Sequence, residues 1–120
     1  MTVNIDITKE LKAVEKLIKS DINKEKTILG LYNYIFKSDG KKIRSRLNLI
    51  ASSSSKNSHR YKLASIIELL HTATLVHDDV VDNASTRRGA VSVNSLWSNA
   101  HGVLIGDYIY SKAFMLMVEI

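Results

Sequence analysis

The stretch LASIIELLHTATLVHDDVVD, residues 63–82, decides the fold. It is apolar over nearly its whole length, and its few polar side chains fall on one side when it is wound as an α-helix. A helix that is apolar almost all round must be covered by other elements. The stretch therefore predicts a buried central helix from about Tyr61 to Asp82.

Apolar residues at intervals of three and four also mark shorter segments on both sides of the central helix. Four further helices are predicted, over residues 11–22, 28–36, 42–51 and from about 93 to the end of the chain. The serine-rich run at 52–59 is predicted to be a polar loop within one domain. The chain has no proline and only five glycines, so it lacks the turn residues that a strand-rich fold needs. We therefore expect an all-α fold.

Composition limits the possible functions. The chain has no cysteine, which excludes disulfides and thiolate metal sites. Its 120 residues suffice for one domain but not for two. The beginning of the chain does not have the pattern of a secretory signal, and no run of eighteen apolar residues predicts a transmembrane segment. We expect a cytoplasmic protein.

The charge is unevenly distributed along the chain. Residues 1–62 carry 14 Lys and Arg against 6 Asp and Glu, whereas residues 63–120 carry 3 against 6. A basic half can bind nucleic acid or an anionic membrane surface. Its lysines, however, are spread over helix faces without interleaved aromatic residues, which is typical of a solvated surface. We expect no nucleic-acid partner.

The acidic end of the central helix is the first candidate site. Asp78 and Asp82 are four residues apart, which places them on one helix face about 6 Å apart along the axis. His71 lies two turns earlier on that face, and Asp79 is expected at its edge. Carboxylates in this position repel each other and the negative end of the helix dipole. Bound Mg²⁺ would offset this repulsion, because it binds one or two protein carboxylates and completes its shell with water and phosphate oxygens.

Two basic groups could supply phosphate ligands. Arg87 and Arg88 follow the acidic helix end, and Lys41 and Arg44 lie three apart near the start of the third helix. Each group has a simpler interpretation from the residues alone. The first could be a surface ion-pair cluster, and the second a lysine-rich, exposed helix start.

These blocks, in this order, resemble the N-terminal part of the trans-isoprenyl diphosphate synthases, especially the long-chain bacterial octaprenyl diphosphate synthases. The resemblance covers about residues 8–120. The family's D-D-x-x-D motif corresponds to residues 78–82, followed by RRG at 87–89, and the Gly-Asp pair of its next helix corresponds to residues 106–107. The family's G-G-K-R-x-R-P block corresponds to DGKKIRS, with departures at Asp39, Lys42 and Ser45.

The resemblance implies the N-terminal helices of an isoprenoid synthase bundle and a Mg²⁺-dependent prenyl transfer. An allylic diphosphate ionises, the double bond of isopentenyl diphosphate attacks the cation, and a proton is lost. Asp78 and Asp82 would bind Mg²⁺ ions that hold the allylic diphosphate, with Asp79 assisting and Arg87 contacting the same group. The residues implied to hold isopentenyl diphosphate are Lys41, Arg44, His71 and Arg88.

The resemblance also bears on product length. In this family the residues one turn before the motif line the pocket for the growing chain, and here they are the small Ala73 and Thr74. We therefore expect a long product. Phe114, Met115 and Met117 are candidates for the pocket floor, although ordinary core packing explains them equally well.

The resemblance further implies that residues 1–120 are an N-terminal portion only. Family members are more than twice this length and carry a second aspartate-rich motif that this chain lacks. The last helix would then leave a large apolar patch uncovered. Three hypotheses follow: a synthase portion that is active if another chain supplies the second half, a non-catalytic remnant, or a binding protein similar to the small subunits of heteromeric prenyl synthases. The expected protein partner is a second copy in a homodimer or a complementing C-terminal chain. We expect no turnover by the chain alone.

Overall fold

The structure, a computed structural model, describes residues 7–37, 43–52 and 59–120, with the backbone alone described at 43–45 and 51. The helices are α1 (Thr8–Lys19), α2 (Lys26–Phe36), α3 (Ile43–Ala51), α4 (His59–Val81), α5 (Val93–Leu96) and α6 (Asn99–Val118). Two short antiparallel strands, β1 (Thr86–Arg87) and β2 (Ala90–Val91), form a hairpin between α4 and α5. The predicted all-α class is confirmed.

The central helix of the fold is α4, as predicted. It packs most extensively against α6 and also contacts α1 and α3. Its inward stripe is completely buried at Ala64, Leu69 and Ala73. The prediction that α4 is buried nearly all round is wrong, however, because the side chain of Leu63 is 44% exposed and that of Val81 is 82% exposed. The helices that contact α4 leave these two apolar side chains, near its two ends, uncovered.

Two glycines allow α4 and α6 to approach closely. A Cβ atom at Gly102 would lie 2.6 Å from Cγ2 of Val80, and one at Gly106 would lie 2.2 Å from the ring of His77. Real Cβ contacts are not that short, so any larger residue at either position must displace its neighbour. The glycines therefore set the distance between the two longest helices.

Arg60 joins three helices at the start of α4. Its guanidinium donates to Glu10 of α1 at 2.7 and 3.3 Å, to the carbonyl of Leu49 in α3 at 2.8 Å and to the hydroxyl of Ser52 at 3.0 Å. Arg60 is only 9% exposed. A buried guanidinium needs several acceptors of this kind, because an unpaired charge there would strongly destabilise the fold.

The segment between α1 and α2 is attached to α6. The hydroxyl of Tyr108 accepts a hydrogen bond from the backbone N–H of Asn23 at 2.7 Å, and the ammonium of Lys112 donates to the carbonyl of Ser20. Tyr32 is fully buried beneath this segment and donates to the carbonyl of Ile18. Burial lowers the pKa of Lys112 and raises the pKa of Tyr32. These contacts fix α1 and α2 relative to the α4–α6 pair.

The single last helix predicted from Val93 onwards is interrupted in the structure. The short helix α5 ends at Leu96, and Ser98 adopts an extended conformation as the N-cap of α6. The hydroxyl of Ser98 accepts a hydrogen bond from the backbone N–H of His101 at 3.2 Å. This cap satisfies a donor at the start of α6 and makes a new helix start favourable there.

The expected apolar surface on the last helix is present. Phe114 is 56%, Met115 72% and Val118 87% exposed.

Among the residues with described positions, no helix is long and apolar enough to cross a membrane.

Candidate functional site

The C-terminal end of α4 places its three aspartates in different environments. Asp78 and Asp82 are exposed, whereas Asp79 is only 6% exposed. The sequence had predicted Asp79 at the edge of the acidic face, and its burial corrects that prediction. The physical reason is a partner eight residues later in the chain, Arg87 in β1.

Asp79 and Arg87 form a two-point ion pair. Nη2 of Arg87 donates to Oδ1 of Asp79 at 2.5 Å, and Nε donates to Oδ2 at 3.3 Å. The hydrogen bond that Arg87 donates to Asp79 raises the pKa of Arg87, and the negative charges of Asp79, Asp78 and Asp82 add to this effect. The guanidinium therefore keeps its charge beside the acidic helix end.

The chain turns back sharply after α4. The N–H of Asp82 donates to the carbonyl of Asp78 at 2.8 Å, and the N–H of Ala84 donates to the carbonyl of Asp79 at 2.9 Å. Asn83 adopts a positive φ of 55° in between, as is common just after a helix. This turn directs the hairpin back towards the helix end.

Three side chains hold the hairpin in place. The carbonyl of Ala84 accepts hydrogen bonds from the hydroxyl of Ser92 at 2.7 Å and from the amide of Asn94 at 2.9 Å. The hydroxyl of Tyr34 in α2 donates to the carbonyl of Val91 at 2.6 Å. The segments before and after the hairpin are therefore joined to each other, and β2 is joined to α2.

Arg88 occupies an unusual backbone conformation. Arg88 has φ of 52° and Gly89 has φ of 80°, the signs that a two-residue type I′ hairpin turn requires. Asn and Gly are the usual residues at such positions, because other side chains are strained at positive φ. An arginine in this place is therefore less favourable for the turn than the usual residues.

The Arg88→Asn variant is expected to be more stable than the parent chain. Asparagine tolerates a positive φ, so the free energy of unfolding should rise by about 0.5–1 kcal/mol. Urea denaturation followed by circular dichroism measures it. Equal or lower stability would show that Arg88 causes no strain in the turn.

A second polar group lies on α4 and α6 beside the acidic end. The Nε2 atom of His77 is 3.3 Å from Oδ1 of Asp107 and 3.3 Å from the carbonyl of Val103. One turn earlier, the hydroxyl of Thr74 lies 2.9 Å from that of Tyr110, whose ring is stacked obliquely beside His77. Sequence reasoning missed His77 and Tyr110, because the contact depends on the close helix approach at Gly106.

The other predicted site residues are placed as follows. Ala73 is fully buried in the core, whereas Thr74 next to it is exposed, so the two face different directions. His71 is half-buried on α4. Lys41 and the side chain of Arg44 lie outside the described residues.

The acidic end can be judged as a metal site from its donors. Asp78 and Asp82 offer exposed carboxylate oxygens, the ligand type that Mg²⁺ and Ca²⁺ prefer. Within the described part of the chain, no three His, Asp or Glu side chains are grouped to hold a metal ion. Two carboxylates are nevertheless the number that Mg²⁺ usually takes from a protein when phosphate and water complete its shell. The donors therefore fit a metal that is shared with a phosphate ligand.

Comparison with known proteins identifies the family. A family model described as polyprenyl synthetase matches residues 25–120. The chain belongs to the polyprenyl synthetase family. This result confirms the resemblance inferred from the aspartate motif, and the family is one of prenyltransferase enzymes.

Members of this family with known products are similar to the chain over nearly all its length. The octaprenyl diphosphate synthase of Escherichia coli is 35% identical, with 98% of this chain and 38% of that protein covered. The decaprenyl-diphosphate synthase of Dictyostelium discoideum is 40% identical, with 100% and 28% covered. The chain thus spans about a third of the length of these polyprenyl synthetases.

Solved structures of the family share the fold. A decaprenyl diphosphate synthase from Rhodobacter capsulatus matches with a TM-score of 0.87 at 35% identity, covering 94% of this chain and 36% of that one. A polyprenyl synthase from Caulobacter crescentus, complexed with calcium and isoprenyl diphosphate, also has a TM-score of 0.87 at 36% identity, covering 94% and 35%.

Proposed function

We propose that this chain is the N-terminal portion of a long-chain trans-prenyl diphosphate synthase and forms one wall of its diphosphate site. The observation that supports this proposal is the pair of exposed carboxylates, Asp78 and Asp82, beside an arginine that is already fixed in place. The complex of a similar synthase with calcium and isoprenyl diphosphate is consistent with a metal and a diphosphate in such a site.

In the proposed site, Asp78 and Asp82 hold Mg²⁺ on the outer face of α4. Bound Mg²⁺ would supply Lewis-acid stabilisation of the diphosphate as the allylic C–O bond breaks. Arg87 stabilises the same leaving group, since its charge is fixed before the reaction begins. Arg88, His71, Lys41 and Arg44 are proposed to hold isopentenyl diphosphate, whose double bond attacks the allylic cation.

The product is proposed to be long. Thr74 is exposed one turn before the carboxylates and carries no bulky side chain. A growing prenyl chain could pass it if the hydroxyl of Tyr110, 2.9 Å away, moves aside. Similarity to synthases of octaprenyl and decaprenyl diphosphate supports this length.

The test is the incorporation of labelled isopentenyl diphosphate with farnesyl diphosphate and Mg²⁺. We expect no turnover by the chain alone, because it spans only about a third of the synthases that it resembles. Turnover is expected when a chain that carries the remaining portion is added, and mass spectrometry of the product then gives its length. Turnover by the chain alone would contradict the need for a second portion. No turnover in the mixture would favour a remnant or a binding subunit.

A further inference from the structure

The second aspartate of the motif differs from the other two in its burial and in its hydrogen bonds. Asp79 is 6% exposed, whereas Asp78 and Asp82 are both exposed. Both carboxylate oxygens of Asp79 accept hydrogen bonds from Arg87. Because Arg87 engages both oxygens and the side chain is nearly inaccessible, little of the Asp79 carboxylate is open to a metal ion. The three aspartates therefore do not form one equivalent set of ligands.

The guanidinium of Arg87 is held by one edge. Its Nε and Nη2 atoms face Asp79, which leaves Nη1 outside the ion pair, and the side chain is 42% exposed. A guanidinium has five donors in a planar fork, so one edge can bind a carboxylate while another binds a phosphate. Asp79 can therefore hold Arg87 through Nε and Nη2 while Nη1 remains available to bind a ligand.

The backbone reinforces this anchoring. The carbonyl of Asp79 closes the turn after α4 by accepting from the N–H of Ala84, and the carbonyl of Ala84 holds Ser92 after β2. Asp79 therefore contacts the segment before the hairpin through its backbone, and the hairpin itself through its side chain. Arg87 is fixed at its main chain by the strand pairing with Ala90 and at its guanidinium by Asp79.

We infer that Asp79 is a positioning residue that aims Arg87 at a diphosphate beside Asp78 and Asp82. This inference rests on the proposed function of the site. The ion pair also neutralises one of three crowded negative charges, so the charge that faces the metal is that of two carboxylates. The raised pKa of Arg87, caused first by its hydrogen bond to Asp79, is consistent with this division of roles.

The test is calorimetric titration with farnesyl diphosphate at increasing Mg²⁺ concentration. Asp79→Asn keeps the shape of the side chain but loses the charge that holds Arg87. We expect its affinity to fall about 10-fold, and we expect saturating Mg²⁺ not to restore it. Asp78→Asn should instead be partly restored by added Mg²⁺, because it weakens a direct ligand. Full restoration of Asp79→Asn by Mg²⁺ would overturn the inference.

A double-mutant cycle separates positioning from an independent role. In the Arg87→Ala background, Asp79→Asn is expected to have almost no further effect on affinity, because the residue that it positions is gone. An equal loss in both backgrounds would contradict the inference. Glu10→Gln is the matched control, since it removes a two-point carboxylate partner from Arg60 near the opposite end of α4. It should alter stability but not affinity.

The ion pair can also be followed without any ligand. The ¹H–¹⁵N resonance of Arg87 Nε, assigned by its loss in Arg87→Lys, is expected to shift in Asp79→Asn. An unchanged resonance would show that Asp79 does not hold Arg87 and would overturn the inference. Absence of diphosphate binding by the parent chain would count against the proposed function, and the resonance would still test the role of Asp79.

Discussion

Replacing Asp78 or Asp82 by alanine is expected to weaken Mg²⁺-dependent binding of farnesyl diphosphate by at least about 100-fold. Each carboxylate is exposed at the end of α4 and is proposed to bind Mg²⁺ that is shared with the diphosphate. Removing one of two protein ligands should cost at least as much as removing a residue that merely supports a ligand, which typically costs 10–100-fold. Isothermal titration calorimetry measures this effect.

The same variants are expected to fold as well as the parent chain or better. Both aspartates lie near the negative end of the helix dipole and close to each other, so their removal should raise the free energy of unfolding by about 0.3–1 kcal/mol. Loss of binding together with loss of stability would instead indicate a structural role. Glu15→Ala, which removes a half-buried carboxylate of α1 paired with Lys19, is the control and should leave affinity unchanged.

Replacing Gly106 by alanine is expected to destabilise the fold by about 1–3 kcal/mol. The new Cβ would lie 2.2 Å from the His77 ring, so either the ring or the whole of α6 must move. Urea denaturation measures the loss. The double variant Gly106→Ala with His77→Ala is expected to recover part of the stability, because it removes the side chain that the new methyl group meets.

Gly30→Ala is expected to have the opposite effect on the free energy of unfolding. Gly30 lies within α2, and a Cβ there meets nothing within 4 Å. Alanine has the higher helix propensity, so this variant should gain about 0.5–1 kcal/mol. If both glycine variants changed stability in the same direction, close packing of α4 and α6 would not explain the effect at Gly106.

Helix positions were largely predictable from the sequence, since they depend on local periodicity. Val14 and Ile18 are both buried, as their spacing on α1 predicts, and α4 begins and ends within two residues of its predicted range. The interruption before Ser98 was missed because neither proline nor glycine marks it. A serine three residues before His101, with a new apolar run beyond, was the available signal for a helix start.

The candidate site was predictable in its residue types but not in its geometry. Helical spacing placed Asp79 at the edge of the face of Asp78 and Asp82. It could not show that Asp79 is buried, because the partner Arg87 reaches it only after a turn that places Asn83 at positive φ. Such a contact depends on the path of the loop, which no helical period encodes.

Calorimetric titration of the unaltered chain with farnesyl diphosphate, first with Mg²⁺ and then with EDTA, decides whether the end of α4 is a metal–diphosphate site. The proposed roles of Asp78, Asp82 and Arg87 predict saturable binding with Mg²⁺ and much weaker binding when the metal is removed. Equal affinity in both conditions, or no binding in either, would contradict them.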